Sequence, residues 1–599
     1  MKRTRFTFQI IFFSLMGLII TLGVGGVILS KLALRKLDAR LHAAGIKIRS
    51  LNVNLFARSV TIEGFEWRTP APDSLSASAN SSLPDSSFNA RGQVAANIKT
   101  IHAAGIDVMA FIRKKEIHLG SLVVSEGKVV IEISNHSRQQ GYSRNDHKIP
   151  NELPFTQVTV GDLQITDLEI VVNNDSIIEH MGHVSLAFHD VGLSQADHFA
   201  DPQAYTLGDF KATVGNYRMA TQKSMYTLKV KRIAIDSRSK EMIVDSVVLL
   251  PRYGKYQFSR RVGKQVDRFV LRVPQVTLAG LDFSRLRDSL VVASSLKIDH
   301  ANLYVFRDKR LPFTKRSHMP LPVALIRTLR IGFALDSLIL ADTKITYEEF
   351  PEKGFETGYI VFDHLQASVA QVSNRDLYPG LKQSVLHVTS RVMKNGVITV
   401  DFTLPYDKAQ VYNAKGRISN LGLQQLNPML ESLAFIRVES GRLNALDFNF
   451  DYDDYTSRGN ILINYENLKL AGLKKDKGSQ ENDIKSLALG LFVRKDKDRA
   501  VPLENRTGKV YYERDRRRAI FNVWVKSLFS GVKSSVVDPP SERKPQTRKQ
   551  RRDSLRDVRK ETREKKKRER QDQKNEKQTE KRDTVRSISS VYGEGFLRL

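Results

Sequence analysis

Cysteine is absent from all 599 residues, which excludes disulfide staples, zinc–thiolate sites and cysteine nucleophiles together. The chain also lacks a Walker A loop, a dinucleotide-binding glycine fingerprint, a G-x-S-x-G elbow and an H-E-x-x-H zinc motif. No catalytic chemistry is therefore expected, and no cofactor. Helical periodicity is sparse before residue 420, with residues 30–44 and 421–434 as candidates, the second interrupted by Pro428.

Charge is missing from one stretch, residues 6–30. A helix of that length rises roughly 37 Å at ~1.5 Å per residue, enough to cross a hydrocarbon core of ~30 Å. The run is too long for the apolar part of a cleaved signal peptide, so an uncleaved anchor is expected. Basic residues stand on both sides, Lys2, Arg3 and Arg5 before it and Lys31, Arg35, Lys36 and Arg40 after it. The absence of cysteine suits an oxidising compartment. We therefore expect a single-pass inner-membrane protein with a cytoplasmic N-terminus and the bulk of the chain periplasmic.

Beyond the apolar run, short alternation of apolar and polar residues dominates the chain. Residues 46–56 and 59–67 alternate with period two, as half-buried strands do, whereas residues 70–87 and 135–151 read as exposed loops. A ten-residue unit recurs at residues 122–131, 163–172, 296–305 and 338–347, with positions one, three, eight and ten apolar or aromatic. A two-residue turn at positions five and six would pair three with eight and one with ten. A continuous strand with a bulge at the same place is the alternative. Either way one face collects Leu122, Val124, Ile165, Ile170, Ile298, Leu303, Leu340 and Ile345. Residues 443–468 return to strands around a charged turn at 451–459, and residues 506–524 suggest one more hairpin.

The net charge is +30. Residues 541–586 carry 20 Lys/Arg against 10 Asp/Glu, so the rest of the chain keeps +20. That segment has almost no apolar residues and reads as a solvated helix or a disordered arm, before an apolar end at 588–599. It lacks aromatic residues for base stacking, so nucleic acid is disfavoured, and the arm reads either as a solvated spacer or as a segment that binds an anionic envelope polymer or lipid. His180, His183 and His189 with Asp190 are weighed as metal ligands against surface histidines, and the latter is preferred. Asp451, Asp453 and Asp454 imitate a calcium loop but lack its glycine and closing glutamate. Glu348 and Glu349 are adjacent in a strand and so point to opposite faces.

The pairing of the apolar run with residues 51–65, and then residues 416–421, 426–430, 440–443 and 459–468, resembles the AsmA-like family of bacterial envelope proteins. The resemblance covers most of residues 1–535 and rests on hydrophobic pattern; the basic tail departs from it. It implies a mainly β protein: an N-terminal transmembrane helix (1–30), an elongated twisted antiparallel β-groove (31–415) and a C-terminal AsmA-like β region (416–540), to which composition alone adds the charged helical or disordered tail (541–587) and the apolar end (588–599). It further implies binding or conduction of phospholipid along an apolar groove, in support of outer-membrane assembly or lipid homeostasis. The alternative function is a structural envelope scaffold that holds outer-membrane components or an anionic polymer through its tail.

Overall fold

Period-two alternation, punctuated by Gly, Asn and Asp, turns nearly the whole chain into strands. The computed structural model describes residues 45–69, 93–133, 156–174, 177–194, 205–206, 208–220, 225–313, 318–378, 380–407, 411–472 and 506–536. The expected anchor, the helix at 30–44, the loop at 70–87, the loop at 135–151, the basic tail and the apolar end lie outside the described residues. Among the described residues no helix is long and apolar enough to cross a membrane. All of them belong to one unit.

That unit is one groove-like sheet of 21 strands. It opens with β1 (Ile46–Asn54), β2 (Ser59–Arg68), β3 (Gln93–Ala104), β4 (Glu116–Ile133), β5 (Gln157–Asn174) and β6 (Ile177–Ser194). After the short β7 (Tyr205–Thr206) come β8 (Phe210–Ala220), β9 (Tyr226–Asp236), β10 (Glu241–Pro251), β11 (Asp267–Ala279), β12 (Leu290–Asp299) and β13 (Asn302–Asp308). It continues through β14 (Gly332–Phe350), β15 (Gly358–Ser373), β16 (Gln383–Val392), β17 (Gly396–Pro405) and β18 (Tyr412–Gly422). The last three are β19 (Ile436–Tyr452), β20 (Thr456–Gly472) and β21 (Arg506–Glu513). Neighbours in sequence are neighbours in the sheet, except that β7 only flanks β6 and β12 and β13 share one place between β11 and β14. β18 runs through residue 416, so the sheet is continuous where two regions were expected to meet.

Two corrections concern the repeated unit. The sheet is not wholly antiparallel, because β4 pairs with β5, and β12 with β13 pair with β14, in parallel. In both cases the copies lie side by side in register: Leu122 beside Leu163, Leu296 beside Leu338. The unit is also not a hairpin. β4, β5 and β14 run through it as single strands, and position five alone is left-handed, with φ of 49° at Glu126, 54° at Asp167, 52° at His300 and 48° at Asp342. A two-residue type I′ turn needs positive φ at both central residues, whereas one such residue makes a bulge. The bulge switches parity, which puts positions one, three, eight and ten on one face.

The same conformation recurs at Gly64, His183, Asn216, Ser246 and His364, so a crease crosses the sheet from β2 to β15. Its polar side chains bridge adjacent strands: Lys99 to Glu126 at 2.7 Å, His183 to Asp167 at 2.6 Å, His364 to Asp342 at 2.7 Å. Exposed pairs of this kind contribute roughly 0–1 kcal/mol each.

The helices sit at strand ends or on the sheet: α1 (Val108–Lys114), α2 (Lys255–Val262), α3 (Pro322–Arg327), α4 (Asn427–Ala434) and α5 (Ile520–Val536). Asp107 caps α1, accepting from the backbone N–H groups of Met109 and Ala110. Pro428 begins α4 rather than interrupting a longer helix, since a proline at the first turn loses no helical hydrogen bond. The expected hairpin at 506–524 is half right. β21 is its first strand, but the second half is the start of α5, whose Val523 and Ser527, four apart, are fully buried.

α5 also seals the open edge of β21. The Oγ of Ser534 accepts from the Lys509 N–H and that of Ser530 from the Tyr511 N–H, both at 3.1 Å. The helix comes this close because Gly508 and Gly531 face each other; a Cβ on Gly508 would lie 2.1 Å from the Gly531 carbonyl oxygen. Ser530→Ala with Ser534→Ala should cost about 1–3 kcal/mol in all. Hydrogen exchange should quicken first at the Lys509 and Tyr511 amides, and unchanged protection there would rule out the cap.

Candidate functional site

Because pairing holds register from end to end, apolar positions align into files that run across the strands. One file passes through Leu51, Ile62, Ile101, Val124, Ile165 and Leu186 in β1–β6. It goes on through Ala212, Ile235, Met242, Leu278, Leu296 and Leu338 to β14. Val369, Leu386, Phe402, Ala414 and Phe450 carry it to Gly459 in β20 and Val510 in β21. No polar side chain interrupts it. At ~4.8 Å per strand such a file is roughly 86 Å long.

The file is not equally accessible along its length. In β1–β6 the apolar face is closed: Leu122, Val124 and Ile165 are 1%, 2% and 9% exposed, in one cluster with Ile62, Ile101 and Leu163 and under Val108 and Phe111 of α1. Ile170 packs against that cluster. At the other end α5 covers the face, its Trp524 ring stacked on Phe402 at 4.2 Å and edge-on to Tyr452. Between these ends the face opens. In β8–β11 only Val230, Val244, Val273 and Leu278 are buried.

Two open files flank the crease. One contains Ile233, Val276, Ile298 and Leu340; the other Leu228, Leu249, Leu271, Leu303, Ile345 and Phe362. All ten side chains are half-buried. The eight residues singled out from sequence therefore divide into two sets. Leu122, Val124, Ile165 and Ile170 belong to or abut a closed core, whereas Ile298, Leu303, Leu340 and Ile345 lie on the open face. The neighbouring residues in β9–β11 were missed because those strands carry no recognisable copy of the ten-residue unit. Their period-two alternation, with a parity switch at Lys231, Ser246 and Pro274, was the available signal.

Four residues further along β11, β13 and β14 than the second file, the same face ends in charge. Arg307 forms a bidentate pair with Asp267, and Glu349 accepts from the Tyr347 hydroxyl at 2.6 Å with Lys309 Nζ also 2.6 Å away. Burial, then the Glu349 carboxylate, push the Tyr347 hydroxyl up from its ordinary value. Glu348 points to the other face, toward Lys255 and Tyr304, so the two glutamates do not converge.

The other constellations are dispersed. His180, His183 and His189 pair with three different carboxylates of β5, Glu169, Asp167 and Asp162. No group of metal-binding side chains occurs among the described residues. Asp453 Oδ1 accepts from the Tyr455 and Thr456 N–H groups, closing the β19–β20 turn, and Asp454 binds His318 and Arg514. No protein-family model matches this chain, and no curated protein matches it.

Proposed function

We propose that this chain is a membrane-tethered, non-catalytic lipid-binding protein that holds or conducts phospholipid acyl chains on the open apolar face of β8–β16. The uncharged run at residues 6–30 would be the inner-membrane anchor, with the sheet in the periplasm as in the AsmA-like proteins the sequence resembles. One observation carries the reading: in-register files of half-buried Leu, Ile and Val continue from strand to strand, bounded by a closed core and by α5. A sheet with such a face requires a cover, and a contiguous, partly exposed apolar surface of this kind supports a binding site. The open section is roughly 34 Å across at ~4.8 Å per strand, against ~15 Å for the acyl depth of one leaflet. Acyl chains would lie along the files, with head groups near Asp267, Arg307, Lys309 and Glu349, whose charges cancel and suit a zwitterionic group.

The test is a photo-crosslinking side chain placed in cells at Ile298, Leu303 or Leu340, with Lys297 and Asn302 on the opposite face as controls. Lipid adducts are expected at the first three. Equal labelling on both parities, or none, rejects the groove. The scaffold reading gains from one observation only, the closed packing around Leu122, Val124 and Ile165, and is assigned to β1–β6.

A further inference from the structure

We propose a second binding surface, independent of the lipid reading: the face opposite the apolar files binds a linear polyanion along a file of cations from β8 to β14. Residues 210–279 hold 15 Lys/Arg against 4 Asp/Glu, which is +11 of the net +30. The sheet register places three of these cations, with Lys344 of β14, in one line. Arg218 stands beside Lys229, Lys229 beside Val248, Val248 beside Arg272, Arg272 beside Asn302 and Asn302 beside Lys344. At ~4.8 Å per strand the four cations span roughly 24 Å. All four are exposed, and none has an ion-pair partner among the described residues.

The carboxylates nearest the file are already occupied. Asp245 is held by Arg232 at 2.8 Å, Asp299 by Lys297 at 3.0 Å, and Asp342 by His364 and His300. The crease adds a cleft of about 690 Å3 beside the file, where Lys231, Arg232, Asp245 and Arg272 stand around Val248 and Val273. It opens where Ser246 is left-handed and Pro274, across from it, has no N–H to offer. Counting its charged walls, the cleft is +2.

A line of cations matches charges repeated along one polymer chain. A membrane surface fits less well, because peripheral membrane contacts set large apolar side chains among the cations. None of the large apolar side chains exposed by the sheet lies in this file. Lys and Arg in this arrangement bind phosphate or sulfate groups in series and release the counterions of the polymer.

The test uses the full chain in detergent, with fluorescently labelled short-chain polyphosphate and, separately, a sulfated glycan as probes. Two variants are compared: R218Q/K229Q/R272Q/K344Q, and a neutral-tail chain whose Lys, Arg, Asp and Glu at 541–586 are all Gln. The file variant should bind at least tenfold more weakly, and its log K against log salt should flatten by about 3, at ~0.7–0.9 per lost contact. That loss should persist in the neutral-tail background, and R218K/R272K should bind as the parent does. Binding of polyphosphate alone, or of both probes, supports the file and tells which anion it prefers. The inference falls if the file variant binds unchanged, if neutralising the tail removes all binding, if inorganic phosphate competes equally per phosphate, or if anionic liposomes compete as well as the polymer. Melting curves unchanged by the four surface substitutions guard against misfolding.

Discussion

Leu122→Asp is expected to unfold the protein, whereas Leu303→Asp is expected to leave it folded and empty of lipid. The two leucines occupy equivalent kinds of position, one and eight of the repeated unit, yet their surroundings differ. Leu122 is 1% exposed inside the closed cluster of β1–β6. Losing its side chain costs about 2–5 kcal/mol, and holding an aspartate there costs about 4 kcal/mol more if its pKa must rise by about 3 units. The sum rivals a typical folding stability of ~5–15 kcal/mol. Leu303 is half-buried on the open face, where water can reach a carboxylate, so its substitution should cost little stability. Denaturation followed by circular dichroism measures the first effect, and mass spectrometry of co-purified lipid the second. Equal unfolding by both changes would mean that the open face is a filled core, and the lipid reading would fail with it.

The strands were legible because one-sided burial imposes period two, and the four repeated units were legible because they carry the parity switch in its most regular form. The spacing of 41 and 42 residues was visible too. Its meaning was not, since a parallel pair and a repeated antiparallel unit leave the same trace in one sequence. Only the register shows that Leu122 lies beside Leu163 and Leu296 beside Leu338. The candidate wall was half legible for a similar reason. Leu122 and Leu303 follow the same pattern, and what separates them is α1, which packs over the first and not the second. Trp524 was placed in a strand because Val523, Trp524 and Val525 are good strand formers. Tertiary packing against Phe402 and Tyr452, with serines placed to cap β21, decides for the helix.

Deleting Glu126 should be among the most damaging single changes outside the core, although the residue is exposed and its ion pair with Lys99 is worth roughly 0–1 kcal/mol. Glu126 is the left-handed residue, at φ 49°, where β4 switches parity between Ser125, paired with Thr100, and Gly127, paired with Ile98. Without it, residues 127–133 slip by one. Val129 and Ile131, now 9% and 8% exposed against Val94 and Ala96, would turn to the opposite face, and Lys128 and Glu132 would turn inward. Exposing two such side chains costs about 3–6 kcal/mol, before the burial of charge is counted. β3 and β5 cannot follow, because each is held on its other side, Ala96 by pairing with Trp67 of β2 and Ile170 by pairing with Met181 of β6. Glu126→Gly separates side chain from conformation: glycine adopts positive φ without steric cost, so this variant should lose only the ion pair. Glu126→Val lies between, at about 1–2 kcal/mol, because a Cβ-branched residue resists the left-handed region. The expected order of denaturation midpoints is therefore Gly above Val above the deletion. A deletion as stable as the glycine variant would show that the crease does not set which side chains face the groove.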